Sequence, residues 1–451
     1  MKKNKELVSL VFLLIVLSFY QIINLNANYG YGDDFAQYIL QSQSLFVDSI
    51  DEYMLQTDLN SYSNVQIGPN AYPVGFPLLL KFISFFSGEK FQYYKIANIF
   101  LFNVFIILTF LIVSKKSKLY GLLVSLLLIA SEEIFMLSNS IESDLMFSVF
   151  CLLSLYFFER KELIKESKIP LIIAFLSLLI KVQGIILIFV LTIIYYKNNQ
   201  LKQYVKIYAG FLLTYLIVYF SKYGYLFGEY KDHIRQFSPF FKNTLYNLKI
   251  LSYSITPVEL SLDFLIYLFS LLIVLILLRC ILNINTFNIH YLFIVSYFSF
   301  YSVYLNQQGI RFLLLLVPSI FVVLFELTRI KIFKINLVEM VLIVLLVLNL
   351  TFINISKTAP QNLAFNLESK ELYSYLIKEV RDDEYIAFQK PRLLRLATNK
   401  KVFYLDESSI LKKPNYIVVR KDDEKNYPLE ALKDFYLVDE LKSYEIYKIN
   451  N

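Results

Sequence analysis

The sequence predicts a polytopic α-helical membrane protein of about eleven spans followed by a small soluble α/β domain. Three observations carry that prediction. Of the 451 residues, 57% are hydrophobic and the mean hydropathy is +0.53; a soluble domain of this length would expose too much apolar surface to stay in solution. Apolar runs of about 20 residues, the length that crosses a hydrocarbon core, recur along the first 356 residues. Charge is uneven, with residues 357–451 holding 33 of the 81 charged side chains (17 basic, 16 acidic). The chain therefore divides into a membrane body, 1–356, and a water-soluble tail, 357–451.

The spans fall near 7–24, 93–114, 118–137, 141–158, 203–222, 259–282, 288–306, 310–328 and 335–356. The stretch 169–197 is apolar but interrupted by Lys181, Gln183 and Gly184, and reads either as one long tilted helix or as two short ones. Basic residues decide between these. Lys or Arg cluster in Lys2–Lys5, Lys115–Lys118, Arg160–Lys168, Lys197–Lys206 and Arg329–Lys334. All five can lie inside the cell, as the positive-inside rule requires, only if 169–197 crosses twice. Eleven spans follow, in a plasma or inner membrane, with the N-terminus cytoplasmic, the tail extracytoplasmic and Lys181 at the outer surface. The first apolar core is long and lacks a small-x-small cleavage site after it, which favours a retained helix over a signal peptide.

The net charge of +7 is accounted for by loops on one side of a membrane and calls for no nucleic-acid partner. Cys151 and Cys280 lie inside apolar runs and form no disulfide framework. The two histidines, His233 and His290, are too few and too separated for a histidine metal site. No glycine-rich nucleotide loop precedes a helix, which argues against a nucleotide-dependent enzyme. Trp is absent, and the 36 Tyr can supply the interfacial aromatic belt.

Outside lie residues 25–92, 223–258 and the tail. The first loop opens with Tyr29-Gly30-Tyr31-Gly32-Asp33-Asp34. Phe35, Tyr38, Ile39, Ser42, Leu45 and Phe46 recur at helical spacing, so 34–47 reads as an amphipathic helix along the membrane surface. Two carboxylates at its head can be a helix cap, or a catalytic pair beside the bilayer. Tyr72, Pro73, Gly75 and Pro77 then shape the entry to a short apolar run that is a re-entrant or surface helix.

Gly32-Asp33-Asp34 after the first span, followed by Tyr72-Pro73-Val74-Gly75-Phe76-Pro77-Leu78-Leu79-Leu80, resembles the GT-C-fold polyprenyl-phosphate-sugar glycosyltransferases. The nearest by pattern are the protein-mannosyltransferase-like and aminoarabinose-transferase-like bacterial families. Asp34 stands where Glu is common there, and Val74 departs from Tyr-Pro-Pro-Gly. Ser140-Ile141-Glu142-Ser143-Asp144 looks like the fold's second acidic site, Ile180-Lys181-Val182-Gln183-Gly184 matches a segment that usually has Arg at Lys181, and Arg311-Phe312 through Pro318 is similar to a late Arg-Tyr-x-x-Pro segment. Glu371-Leu372-Tyr373 and Leu396 to Lys400 look like the outer domain of bacterial members.

The resemblance implies transfer of a sugar from a polyprenyl monophosphate to an acceptor hydroxyl on the outer face, with inversion. Such a reaction needs a base, positive charge for the departing phosphate and an apolar groove for the lipid. Asp33 matches the family's base, and Asp34 would orient it or hold a metal or a sugar hydroxyl. Adjacent carboxylates raise each other's proton affinity, which suits a base near neutral pH. Glu142 and Asp144 are either a solvated outer turn or a second acidic site, since carboxylates at membrane depth are usually functional. Asp34 and Asp144 are the candidate ligands for a divalent cation, Mg²⁺ or Mn²⁺ by their oxygen donors, though nothing requires one. Arg311 presents a fork that matches phosphate, with snorkelling to lipid head groups as the plainer alternative. Lys181 is the second phosphate candidate; Lys231, His233 and Arg235 read as solvated. The acceptor can be a lipid, a glycan or a protein.

In the tail, 366–381 reads as an amphipathic helix, and β-like runs follow at Tyr385–Phe388, Lys401–Leu405, Tyr416–Val419 and Tyr444–Ile449. The alternatives to a transferase are a flippase for lipid-linked glycans and an O-antigen-type polymerase or ligase. Paired broken helices in two related halves mark many transporters and do not occur here. Polymerases of that type place their main outer loop late, whereas this chain places it after the first span.

Overall fold

The computed structural model describes residues 5–23, 25, 34–46, 72–160, 168–220, 240–254, 256, 263–303, 309–328, 331–332, 335–352, 364–405, 414–421 and 433–450. The chain forms two compact units: Met1–Leu25, Phe91–Ile217 and Tyr230–Thr358 make one, and Asn26–Lys90, Val218–Glu229 and Ala359–Asn451 the other. The first outer loop thus groups with the tail and not with the body to which the sequence division assigned it.

The larger unit is helical: α1 (Lys5–Ile23), α4 (Phe91–Val113), α5 (Lys118–Ala130), α6 (Glu132–Leu137), α7 (Asp144–Glu159), α8 (Ile169–Ile180), α9 (Gly184–Lys197), most of α10 (Leu201–Phe220), α11 (Phe240–Tyr253), α12 (Asp263–Leu282), α13 (Ile289–Val303), α14 (Val317–Leu327) and α15 (Leu337–Phe352). The two helices missing from this count, α2 (Asp34–Ser44) and α3 (Gly75–Ser87), belong to the other unit. Among the described residues α1 and α4 are long and apolar enough to cross a membrane, and nine further apolar helices are shorter.

Two expected spans differ. Residues 118–137 break at Ser131 into α5 and α6, with Ser131 extended. The stretch 310–328 starts as 3-10 turns, Gly309–Phe312 and Leu314–Leu316, and becomes α-helical only at Val317, where Pro318 suits a first turn that needs no N–H. Residues 169–197 divide into two helices, as the basic clusters require. Gly184 is required there, because a Cβ would stand 2.6 Å from the Leu178 nitrogen.

Exposure shows which helix faces lack a protein partner. On α12, Leu268, Leu271, Leu275, Leu278 and Leu282 stand exposed at helical spacing, and Val8, Phe12, Ile15 and Phe19 do so on α1. Each such side chain gains about 1.5–3 kcal/mol on leaving water, so these stripes suit a hydrocarbon surround. The basic loops gather at one end. Lys118 lies 3.9 Å from Glu6, Lys115 meets Glu159 at 3.0 Å and Lys116 meets Glu326 at 2.6 Å. His290, from the same network, joins Glu159 (2.9 Å) to Ser319 (3.0 Å). Asp144 is at the other end of α7, with Lys181 beside it, while Lys197 returns to within 5.2 Å of the Phe287 ring, near His290. Residues 169–197 therefore traverse the bundle twice, as the charge pattern demands.

In the smaller unit, α16 (Leu367–Glu379), β3 (Tyr385–Phe388), α17 (Pro391–Thr398), β4 (Lys401–Tyr404), β5 (Tyr416–Arg420), β6 (Phe435–Glu440) and β7 (Tyr444–Ile449) form the tail. The numbering leaves β1 and β2 to a two-stranded hairpin, Lys331–Ile332 with Ile335–Asn336, in the larger unit. The sheet has the order β4-β3-β5-β7-β6; β3 is parallel to β4 and β5, and β7 antiparallel to β5 and β6. Alternation with period two sends Ile386, Phe388, Val402, Val418 and Ile446 to the face under α16, and Ala387, Phe403, Ile417 and Val419 to the other. The expected helix and four β runs are present. The short α17 and the strand β6 were not expected.

The helix α2 is buried on nearly every side, Phe35 through Ser42 included, between α3 and α17. It is not the half-exposed surface helix its spacing suggests. The exposed apolar face belongs to α3, with Leu78, Phe82, Phe85 and Phe86 outward.

Candidate functional site

Each unit carries one cluster of the side chains singled out by the sequence. In the larger unit the cluster forms where three segments end. Asp144 opens α7; Lys181 follows α8, its N–H donating to the Ser177 carbonyl (3.0 Å); Arg311 sits in the 3-10 turn before α14. Asn98 of α4, fully buried, fixes the turn before α7 by donating to the carbonyls of Ser140 and Glu142. The Gly309 N–H donates to the Tyr246 hydroxyl of α11 (3.1 Å) and anchors the Arg311 turn.

Lys181 Nζ lies 2.6 Å from Asp144 Oδ1, and Arg311 Nη1 lies 3.1 Å from Glu142 Oε1. Both cations also cover the Phe312 ring, at 4.7 Å for Lys181 and 5.2 Å for Arg311. All four candidates thus converge as two ion pairs around one aromatic ring. Lys181, expected at the outer end of its span, is buried against its carboxylate partner.

In the smaller unit the cluster is built on Tyr72. Pro73 is buried, Gly75 begins α3, and Pro77 falls in its first turn, where no N–H is needed. Tyr72 stacks on Tyr38 of α2 (4.6 Å, 29°), and its carbonyl accepts from Gln41 Nε2 (2.8 Å). So held, its hydroxyl donates to Asp34 Oδ1 at 2.6 Å. The third member comes from the tail: Arg392 Nη1 lies 3.1 Å from the Tyr72 hydroxyl and 3.7 Å from Asp34 Oδ1.

Sequence reasoning missed Arg392. It lies in α17, whose eight residues run from Pro391 to Thr398 and are followed by Asn399 in the left-handed conformation (φ 56°). Pro391 and Asn399 are the helix-start and helix-stop signals that were available. The same helix buries Arg395, whose guanidinium burial pushes down to about 10, still protonated at neutral pH. Asp33 lies outside the described residues, as do Lys231, His233 and Arg235.

For a divalent cation, Asp34 Oδ1 is engaged by Tyr72 and Asp144 Oδ1 by Lys181. Among the described residues no three His, Cys, Asp or Glu side chains come together as a metal site.

No protein-family model matches the sequence, and no curated protein is similar to it in sequence. The solved structures give a different result. Over 97% of its length the chain superposes on 97% of ArnT from Cupriavidus metallidurans bound to undecaprenyl phosphate, with a TM-score of 0.60 and 10% identity. In fold this chain is similar to ArnT throughout. The apo form of ArnT from the same organism gives a TM-score of 0.63 over 98% of both chains, again at 10% identity. The GT-C fold implied by the motifs is therefore the fold of the whole chain, tail included.

Proposed function

We propose that this protein is a membrane glycosyltransferase that moves a sugar from a polyprenyl monophosphate to an acceptor hydroxyl on the outer face of the membrane. The observation that carries the reading is the whole-length likeness in fold to ArnT, one structure of which holds undecaprenyl phosphate. In this reading Asp33 is the general base, with inversion at the sugar carbon, and Asp34 orients it. Arg311 meets the donor phosphate, because a guanidinium can trade the Glu142 carboxylate for phosphate oxygens of similar geometry. Lys181 holds Asp144 in place.

The test incubates the purified full chain in lipid nanodiscs with a panel of polyprenyl-phosphate sugars, an acceptor extract and a readout of released polyprenyl phosphate. At least one donor is expected to be consumed. The Asp33→Asn variant should accumulate normally and lose about 10²–10⁴-fold in rate, the range that general-base removal costs. Undiminished transfer by Asp33→Asn sinks the base assignment. Movement of donor across sealed vesicles with no phosphate release would favour the flippase instead.

A further inference from the structure

We infer that the tail domain supplies a positioning residue, Arg392, that holds the Asp34 carboxylate through the Tyr72 hydroxyl. The inference rests on the transferase reading above and adds to it a role for the soluble domain.

The geometry has three parts. First, Arg392 is nearly buried, its side chain 8% exposed, whereas the Asp34 side chain is 31% exposed. A cation of this kind is retained where it has a fixed polar task, since leaving water is costly unless it is paired. Second, the contacts form a relay: guanidinium to phenol oxygen at 3.1 Å, phenol to carboxylate at 2.6 Å, with the guanidinium carbon 5.4 Å from the centre of the Tyr72 ring. The tyrosine hydroxyl has one proton, and with Arg392 donating to its oxygen that proton is directed to Asp34. A short bond to a carboxylate, reinforced by a charge behind the donor, fixes its orientation. Third, the supports are rigid. Tyr72 is clamped by Tyr38 and Gln41, and α17 packs directly on α2.

The consequence is a division of labour at the Asp33-Asp34 pair. With Asp34 held in orientation by Tyr72 and Arg392, the neighbouring carboxylate is left to meet the acceptor hydroxyl.

The experiment compares wild type, Arg392→Ala, Tyr72→Phe and the double variant, all as full chains in nanodiscs, by kcat, donor KM and thermal unfolding. Arg392→Ala should lower kcat by about 10–100-fold with donor KM nearly unchanged. Tyr72→Phe should do the same, and the double variant should cost less than the product of the two. Glu368→Gln, which loosens an ion pair elsewhere in the tail, should leave kcat in place and so controls for general loosening. If Arg392→Ala lowers the unfolding temperature but leaves kcat where it was, the residue only fastens α17 to α2 and the inference fails. If wild type consumes no donor, the transferase reading fails first. The non-additivity of Arg392→Ala with Tyr72→Phe in unfolding temperature then still reports whether the relay exists, and strict additivity would overturn it.

Discussion

Two ion pairs flank the ring of Phe312 and differ in how far water reaches them. In Lys181–Asp144 the side chains are 9% and 4% exposed and 2.6 Å apart; in Arg311–Glu142 they are 19% and 24% exposed and 3.1 Å apart. A buried pair locks geometry, since removing one partner strands a charge at a cost of about 3–5 kcal/mol. A more open pair contributes about 0–1 kcal/mol, so exchanging a partner for a ligand costs little. The difference separates the two cations, first and second phosphate candidates in the sequence, and supports the proposed tasks: Lys181 to fix a carboxylate and Arg311 to change partner. A third pair, Lys442–Glu368 in the tail, is open still further, with Lys442 78% exposed.

Breaking the buried pair should have the largest effect. Asp144→Ala is expected to destabilise the chain by about 3–5 kcal/mol, seen as loss of monodisperse protein on size exclusion. Lys181→Met with Asp144→Leu should restore accumulation without restoring transfer. If Asp144→Ala accumulates and unfolds like wild type, the lock does not exist.

The more open pair should separate folding from activity. Arg311→Ala is expected to leave unfolding nearly unchanged and to lower transfer by about 10²–10³-fold, the scale of losing a transition-state charge stabiliser. Glu142→Gln should cost far less. An Arg311→Ala chain as unstable as Asp144→Ala would erase the contrast.

The tail pair should show the smallest effect. Hydrogen bonds from Lys442 and Ser443 hold the Glu368 carboxyl below its usual 4.5. A group with a lowered folded value stabilises above its unfolded value and loses that contribution as pH falls through the folded one. Thermal unfolding below about pH 4.5 should therefore be slightly less acid-sensitive in Glu368→Gln than in wild type. Equal slopes would show that this pair contributes nothing.

The legible part of the site consisted of residues that sequence placed at the ends of apolar runs: Glu142 and Asp144 before α7, Lys181 between α8 and α9, Arg311 before α14. A charge there stands out against hydrocarbon-compatible neighbours. Arg392 did not stand out, because the tail is rich in charge and α17 is only eight residues long. The spacing of α2 was read correctly as helical and wrongly as surface-lying. Periodicity reports one apolar face, but the remaining polar side chains, Gln37, Gln41, Ser42 and Ser44, are buried as well.

By itself the sequence determined the membrane body, its helical hairpin at 169–197, the basic end of the bundle and the α/β tail. Those follow from local quantities: run length, charge placement and period. Only the tertiary structure decided which charges pair, that Lys181 is buried, that the first outer loop packs with the tail, and that an arginine 320 positions after Tyr72 reaches its hydroxyl. Pairing depends on which segment ends the packed core brings within about 3 Å, and no local pattern encodes that distance.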